Sequence, residues 1–482
     1  MSASGGASPQ LVAGVDSSTG STKVEIRELT TGRVVASGAA PHPPTTPPRS
    51  EQDPAAWWSA FESAWATAGA PTVAGIAVAG QQHGMVALDS SGAVIRPAKL
   101  WNDTESAPDA GWCVKQLARG RASWADAVGS VPVAAFTVTK LSWLHRSEPA
   151  SWERLAHVLL PHDWLTARLA GLAPGAYVTD RGDASGTGYW SPATGEYRGD
   201  ILAIIDGDRD WSAVVPRVLG PGDAAGRWGD AVVAPGTGDN MAAALGVGLR
   251  PGDVALSLGT SGTVYTVSEK PTADPAGAVA GFADATGRFL PLVCTLNATK
   301  VTEAVRRLLA CSLDELDTLA LAAPLGAGGL TLLPYLDGER TPDRPGAAGV
   351  LAGLRSNASR EQLARAAYEG VLCGLLDGLD ALAAHARVDG RLVLVGGGAR
   401  SRAYRQILAD LSGRPVLGPP ADEHVAAGAC VQAASVVSGA DPGDIAAAWA
   451  LGEGLTVEPA AEAGPAAAAV RSAYDARRDR EA

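Results

Sequence analysis

Two stretches of this chain, Gly14-Val-Asp-Ser-Ser-Thr-Gly-Ser-Thr-Lys23 and Ser257-Leu-Gly-Thr-Ser-Gly262, share one pattern: a β-type run, a tight turn of glycine and hydroxyl residues, and a second β-type run. Opening each half of the chain, the repeated pattern predicts an α/β architecture in which two half-chains follow one plan. Turns of Gly, Ser and Thr between strands present backbone N–H groups and hydroxyls at close range, which suits a polyphosphate and has no use in an apolar core. Two such turns point to two half-chains facing one nucleotide.

A chain of 482 residues, 46% hydrophobic and 19% charged, can bury large cores and favours two or more domains. Its 39 basic residues against 51 acidic ones leave a net charge of −12, which disfavours nucleic acid and anionic membranes as partners. Any anionic ligand must therefore meet a local basic patch. Cys113, Cys294, Cys311, Cys373 and Cys430 are scattered, without CxxC spacing or clustering with histidine, and read as reduced cytoplasmic thiols. The opening Met1-Ser-Ala-Ser-Gly-Gly has neither a basic n-region nor an apolar h-region, so secretion is not expected. Val425 to Ala440 is short and rich in Ala, Gly and Ser, and reads as a close-packed helix rather than a membrane span.

Twelve of the thirteen tryptophans precede residue 230, so the two halves have different core chemistry. Gly246-Val-Gly-Leu-Arg-Pro251-Gly-Asp253 supplies the punctuation of a boundary, placed at residues 1–246 and 247–482. In the first half, strands are expected at Thr22 to Leu29, Arg33 to Ser37 and Val73 to Ala79. A helix starts at Asp53-Pro54, with Trp57, Trp58, Phe61 and Trp65 at helical spacing. In the second half, Val254 to Leu258, Thr263 to Val267, Leu290 to Thr295 and Arg391 to Val395 read as strands, and Ser359 with Gln362 as the capping box of a long helix. The Ala-rich stretch near 460 to 469 reads as low complexity.

Several polar groups stand where strands end, which is where α/β folds place ligands. Asp16, beside Lys23 in the first turn, would repel a phosphate unless a cation lies between them; its bland alternative is an aspartate bonded to its own turn. Asp239, in Gly236-Thr-Gly-Asp-Asn240, could accept a proton from an attacking hydroxyl, or merely cap the Ala-rich helix that follows. Gln82 and His83 end a buried strand in Gly80-Gln-Gln-His-Gly84, where amide and imidazole could read sugar hydroxyls, as could the loop Trp101-Asn102-Asp103. Gly396-Gly397-Gly398 could admit adenine or ribose against bare backbone, with Arg400 nearby for phosphate. Gly338-Glu-Arg-Thr-Pro342 reads as an exposed charged turn. The chain has no HxH or HExxH spacing, no GxGxxG and no GxxxxGK[ST], so transition-metal sites, dinucleotide enzymes and P-loop enzymes lose support.

Taken together, these segments resemble the FGGY family of carbohydrate kinases, and within it the xylulokinases, over nearly the whole chain. The similarity is carried by Glu51-Gln-Asp-Pro54 with Trp57-Trp58, Gly80-Gln-Gln-His-Gly84, Trp101-Asn-Asp103, Ser257-Leu-Gly-Thr-Ser-Gly262, Leu333-Pro-Tyr-Leu-Asp-Gly-Glu-Arg-Thr-Pro342 and Gly396-Gly-Gly-Ala-Arg-Ser401. The resemblance implies two ribonuclease-H-like domains of the actin and hexokinase type flanking a cleft, the first binding sugar and the second ATP. It implies Asp239 as catalytic base and Asp16 as the second catalytic carboxylate, both able to hold Mg²⁺ directly or through water. Gln82, His83, Trp101, Asn102, Asp103, Asp239 and Asn240 would face the sugar. Ser18, Thr19, Lys23, Gly259, Thr260, Ser261, Gly397, Gly398 and Arg400 would face ATP. Two departures stand out: Gln82 where many members carry Met, and Asp16-Ser17-Ser18-Thr19 in place of Asp-x-Gly-Thr. The implied reaction is transfer of the γ-phosphoryl of ATP to D-xylulose by a cytoplasmic homodimer. The alternatives are a kinase for ribulose, arabinitol or gluconate, an actin-like or chaperone-like ATPase switch, and a catalytically dead sensor.

Overall fold

The run Leu11 to Asp16 has no polar alternation, as expected of a strand covered on both faces. A computed structural model, which describes residues 10–419 and 423–480, places it centrally in a seven-stranded sheet. β1 (Leu11–Ser17), β2 (Ser21–Glu28) and β3 (Val34–Pro41) form an antiparallel meander, with Asp16 opposite Lys23 and Ser17 opposite Thr22. A short β4 (Glu51–Gln52) pairs elsewhere, and β5 (Gly75–Gly80) lies parallel to β1. Beyond β5 come the strands Ala231–Val233 and Gly226–Trp228, while Thr237–Gly238 pairs with the far end of β5.

The chain divides into two compact units. The first comprises Met1–Gly248, Glu269–Leu290 and Glu423–Leu451; the second comprises Leu249–Ser268, Pro291–Asp422 and Gly452–Ala482. In the first unit, α1 (Pro54–Thr67) covers one face of the sheet. Asp53 caps it, its carboxylate accepting from Ala55 N at 2.9 Å, and Pro54 opens it. Trp57, Phe61 and Ala64 face inward onto Ile76, Val78 and Val15, and Trp57 meets Trp164 edge-on at 6.3 Å. Strand alternation puts Gly14, Gly75 and Ala77 on the opposite face. There the helix His424–Ser438 lies so close that a Cβ on Gly14 would stand 2.0 Å from the Ala426 carbonyl. This is the close-packed helix expected from its small residues, and no helix among the described residues is long and apolar enough to cross a membrane.

The second unit repeats the plan. Val254–Leu258 and Gly262–Thr266 form an antiparallel hairpin, and Val254–Leu258 pairs in parallel with Leu392–Val395. Phe289–Thr295 flanks the hairpin, and Val416–Gly418 and Leu455–Val457 extend the other edge. The helix Arg360–Ala383 starts at the expected capping box, Ser359 and Gln362 each bonding the other's backbone N–H.

Two expectations are corrected here. The Ala-rich stretch belongs to the helix Ala463–Arg480, whose Ala463, Ala467, Val470 and Tyr474 are buried; alanine at those positions permits close packing and favours helix. The turn Gly338–Pro342 is not solvated at its centre. Glu339 is 3% exposed, and its carboxylate accepts from Leu296 N, Arg340 N and Asn297 Nδ2, so it ties this turn to the end of the strand Phe289–Thr295.

Candidate active site

Three parallel strands of the first unit end side by side: β1 at Ser17, β5 at Gly80 and the short strand at Gly238, with Ser17 opposite Gly80 and Gly80 opposite Gly238. These ends and the residues just after them carry Asp16, Ser17, Gln81, Gln82, His83, Asp239 and Asn240. Here the sheet leaves polar atoms without protein partners. Asp16 Oδ1, Ser17 Oγ, Gln81 Nε2, Gln82 Nε2 and Asn102 Oδ1 are all buried and make no hydrogen bond. Each such atom costs about 1–3 kcal/mol unless something else satisfies it, so a concentration of them on neighbouring loops marks a place prepared for a ligand.

Asn240 organises the loop that carries Asp239. Its Nδ2 donates to Asp239 Oδ1 at 2.9 Å and to Gln82 Oε1 at 2.8 Å, and its backbone N donates to Asp239 Oδ1 at 2.8 Å. The bland alternative for Asp239 does not hold: Gly238 occupies the N-cap position, and Asp239 is the first residue of the helix Asp239–Gly246. Burial, with Asp16 and Asp183 adding like charge, pushes Asp239 up to about 7. Asp16 is also pushed up to about 7 by burial, against the pull of Lys23 and with the push of Glu423. Lys23 Nζ stands 3.9 Å from Asp16 Oδ2 and 2.6 Å from Glu423 Oε2.

His83 adopts a left-handed backbone, φ +67°. Its Nδ1 lies 2.7 Å from the Gly186 carbonyl, which can only accept, so Nδ1 carries a proton. The ring packs against Phe136 and Phe282 at 4.9 and 5.6 Å. Glycine is required at 186 because a Cβ there would lie 2.5 Å from the imidazole.

The first turn is held from outside. Thr19 Oγ1 accepts from Trp101 Nε1 at 2.9 Å and donates to Gln81 Oε1 at 3.1 Å, while Gln52 Nε2 donates to the Thr19 carbonyl at 3.0 Å. Ser18 closes the turn through its N–H and hydroxyl, both donating to the Ser21 carbonyl at 3.0 Å. Trp101 thus grips the turn with its indole N–H. Asp103 differs from the sequence expectation. It is wholly buried, and its carboxylate is used up by Ser50 N, Glu105 N and Lys99 Nζ at 2.9 to 3.0 Å, so it has no face left for a sugar. Glu51, Asp103 and Glu105 are spaced closely enough to hold an ion, but Lys99 Nζ already bonds all three.

The second unit carries its own turn. Gly259 and Thr260 are exposed and Ser261 is half-buried. Thr299 N and Oγ1 donate to the Gly259 carbonyl at 3.0 and 2.7 Å, pinning the turn to the start of the helix Thr299–Leu309. Of the glycine triplet, Gly396 has φ +84° and Gly398 is pressed against Leu258 and Thr299. Only Gly397 has open space where a side chain would be. Arg400 ends that turn and is exposed.

The family description "FGGY family of carbohydrate kinases" matches this chain twice, the N-terminal domain over residues 11–246 and the C-terminal domain over 254–436. The chain belongs to the FGGY family of carbohydrate kinases. It is 47% identical over 460 residues to a xylulose kinase of Streptomyces coelicolor and 46% identical over 460 residues to one of Streptomyces rubiginosus, each match spanning 93% of this chain and 92% of the relative. Its fold superposes on the crystal structure of xylulose kinase from Bifidobacterium adolescentis with a TM-score of 0.86 at 43% identity, covering 98% of this chain and 99% of that one. This FGGY enzyme is a kinase that uses ATP. Its two units have the actin and hexokinase type of fold.

Sequence reasoning missed one part of the site: His162, Asp163, Asp180 and Asp183, all buried beneath the loops just described. Pro161-His-Asp163 and Thr179-Asp-Arg-Gly-Asp183 look like polar turns in sequence. Their one signal is that ionisable residues follow closely on the short apolar runs Val158-Leu-Leu160 and Ala176-Tyr-Val178.

Proposed function

We propose that this FGGY kinase phosphorylates D-xylulose to D-xylulose 5-phosphate, with Asp239 as general base. The observation that carries the reading is the Gln82–Asn240–Asp239 chain of hydrogen bonds at the ends of three parallel strands, in a protein whose relatives at 46–47% identity are named xylulose kinases. Gln82, His83, Trp101, Asn102 and Asn240 form the sugar face, and Asp103 supports it through Lys99. The sugar-binding domain is built on residues 1–246 and the ATP-binding domain on residues 247–482, of which 269–290 and 423–451 fold with the first unit. Ser18, Thr19 and Lys23 serve the phosphates from the first, and Gly259, Thr260, Ser261, Gly397, Gly398 and Arg400 bind ATP from the second.

In this mechanism Asp239 accepts the proton of the sugar's terminal hydroxyl as that oxygen attacks the γ-phosphoryl in line, with no covalent enzyme intermediate. Asn240 holds the Asp239 carboxylate in place for the transfer. Asp16 and Asp239 suit Mg²⁺, since buried Asp16 Oδ1 and Ser17 Oγ lack partners and the Asp16 charge raises the proton affinity of Asp239. When bound, the ion supplies charge neutralisation at the phosphoryl oxygens. The five cysteines are buried and in no disulfide, which fits a cytoplasmic enzyme, and a homodimer rests on family resemblance alone.

The test is a panel of pentuloses and pentitols offered to the purified protein with ATP. Preference for D-xylulose by kcat/KM is expected. A clear preference for ribulose, arabinitol or gluconate, or ATP consumption indifferent to every sugar, overturns the assignment.

A further inference from the structure

Four ionisable side chains to which the reaction assigns no role form one buried cluster in the first unit. His162, Asp163 and Asp183 are 0% exposed and Asp180 is 4% exposed. His162 Nδ1 lies 2.7 Å from Asp183 Oδ2, and its Nε2 lies 3.2 Å from Asp163 Oδ1 and 3.6 Å from Asp180 Oδ1. Burial opposes a charge on His162, but Asp163, Asp183 and Asp180 outweigh it and push the imidazolium up to about 10. Three carboxylates around one imidazolium are costly to bury, and hydrophobic residues of the same volume would fill this space at less cost.

The position of the cluster accounts for its composition. His162 opens the helix Pro161–Ala170 and wedges under both loops of the site. A Cβ on Gly80 would lie 2.9 Å from His162 Cβ, and one on Gly236 would lie 2.7 Å from His162 Cδ2. Two arms leave it. Toward the sugar loop, Asp183 faces the backbone N–H of His83, and Gly186, bonded back to the Asp183 carbonyl at 2.9 Å, accepts from His83 Nδ1. Toward the base loop, Asp180 Oδ2 accepts from Thr237 Oγ1 at 2.7 Å, two residues before Asp239, while the same carboxylate caps Gly182 N and Asp183 N at 2.8 and 2.9 Å.

We propose that His162, Asp180 and Asp183 are positioning residues: one rigid ionic unit that sets the sugar-reading His83 through Asp183 and the base Asp239 through Asp180 and Thr237. The proposal rests on the reading of His83 as a sugar contact and Asp239 as the base. Its arms have separate kinetic signatures, because misplacing a binding group raises the sugar KM while misplacing the base lowers kcat.

Steady-state kinetics of Asp183→Asn, Thr237→Val and His83→Ala, each with sugar and ATP varied, provide the test. Asp183→Asn should raise the sugar KM by about tenfold or more and leave the ATP KM within about twofold; Thr237→Val, nearly isosteric, should lower kcat by about tenfold with a smaller change in sugar KM. His162→Asn, whose amide can replace Nδ1 as donor to Asp183, should keep the sugar KM closer to the parent value than His162→Gln does. A purely structural cluster would lower the fraction of active protein and leave both KM values alone, and that outcome overturns the proposal. If Asp183→Asn does not fold, a wild-type kcat in Thr237→Val is enough to overturn it. A normal sugar KM in His83→Ala defeats the underlying reading, and the proposal with it. A raised KM in His83→Ala beside a normal one in Asp183→Asn defeats the positioning role alone.

Discussion

At the scale of single residues, the site is decided by which polar atoms are already satisfied. Asp103 has its bonds filled by neighbours, whereas Gln82 Nε2 and Asp16 Oδ1 have none, although sequence alone makes all three equally good candidates. Asp239→Asn keeps the shape and the Asn240 contacts but cannot take a proton, and general-base catalysis is worth about 10² to 10⁴ in rate. The expected loss is about 3 to 5 kcal/mol of transition-state stabilisation, seen in sugar-dependent kcat with little change in ATP KM. Near-normal turnover would remove Asp239 from its role. His162 makes a second prediction, in stability. Its folded-state pKa of about 10 stands above the ordinary 6.5, so its contribution is complete below about pH 6.5 and disappears as pH rises toward 10. Asp163, also raised, to about 7, slopes the same way at lower pH. The melting temperature should therefore fall between pH 7 and 10 by more in the parent than in His162→Asn; parallel curves would show that the imidazole carries no charge.

At the scale of elements, starts and stops were legible where a local device sets them. Asp53-Pro54 and the Ser359/Gln362 box place two helices from sequence alone, because a cap is a contact between residues two or three apart. The other strands came out within a residue or two for the same reason, each being a short apolar run with marked ends, whereas the one expected at Arg33 to Ser37 runs on to Pro41. The His162 cluster was not legible, since its members come from two separate segments and meet only when the helix Pro161–Ala170 packs against the segment Val178–Ala184. The same limit applies to the crossing of the helices Asp239–Gly246 and His424–Ser438. Their approach is set by Gly246 and Gly428: a Cβ on Gly428 would stand 1.9 Å from the Ala242 carbonyl, and one on Gly246 1.8 Å from the His424 carbonyl. Backbone cannot yield as a flexible side chain can, so Gly428→Ala should cost about 1–3 kcal/mol or more, read from denaturant midpoints. Gly464→Ala, near the start of the helix Ala463–Arg480 and with nothing within 4 Å, should be neutral or slightly stabilising. Equal effects at the two sites would mean that the crossing tolerates separation.

At the scale of the whole molecule, the uneven aromatic distribution seen in sequence proves sharper in the fold. Trp449, the one tryptophan of the second half, lies in the segment Glu423–Leu451 and returns to the first unit, where its Nε1 donates to the Leu29 carbonyl at 3.1 Å and its ring packs on Gly32. All thirteen tryptophans therefore belong to that unit, and intrinsic tryptophan fluorescence reports on it alone. The same segment supplies the helix His424–Ser438, which covers the face of β1 and β5 that carries Gly14 and Gly75. A fragment ending at Gly248 contains every strand of the first sheet and lacks the layer on its second face, and a sheet with one uncovered apolar face does not make a stable domain. Such a fragment should bind a hydrophobic dye, lack a cooperative thermal transition by tryptophan fluorescence, and associate. Fusing residues 423–451 to it through a flexible linker should restore a cooperative transition, because the helix brings the small-residue face that Gly14 and Gly75 accept. A fragment that unfolds cooperatively as a monomer without dye binding would show that the first sheet needs no cover from the distant helix.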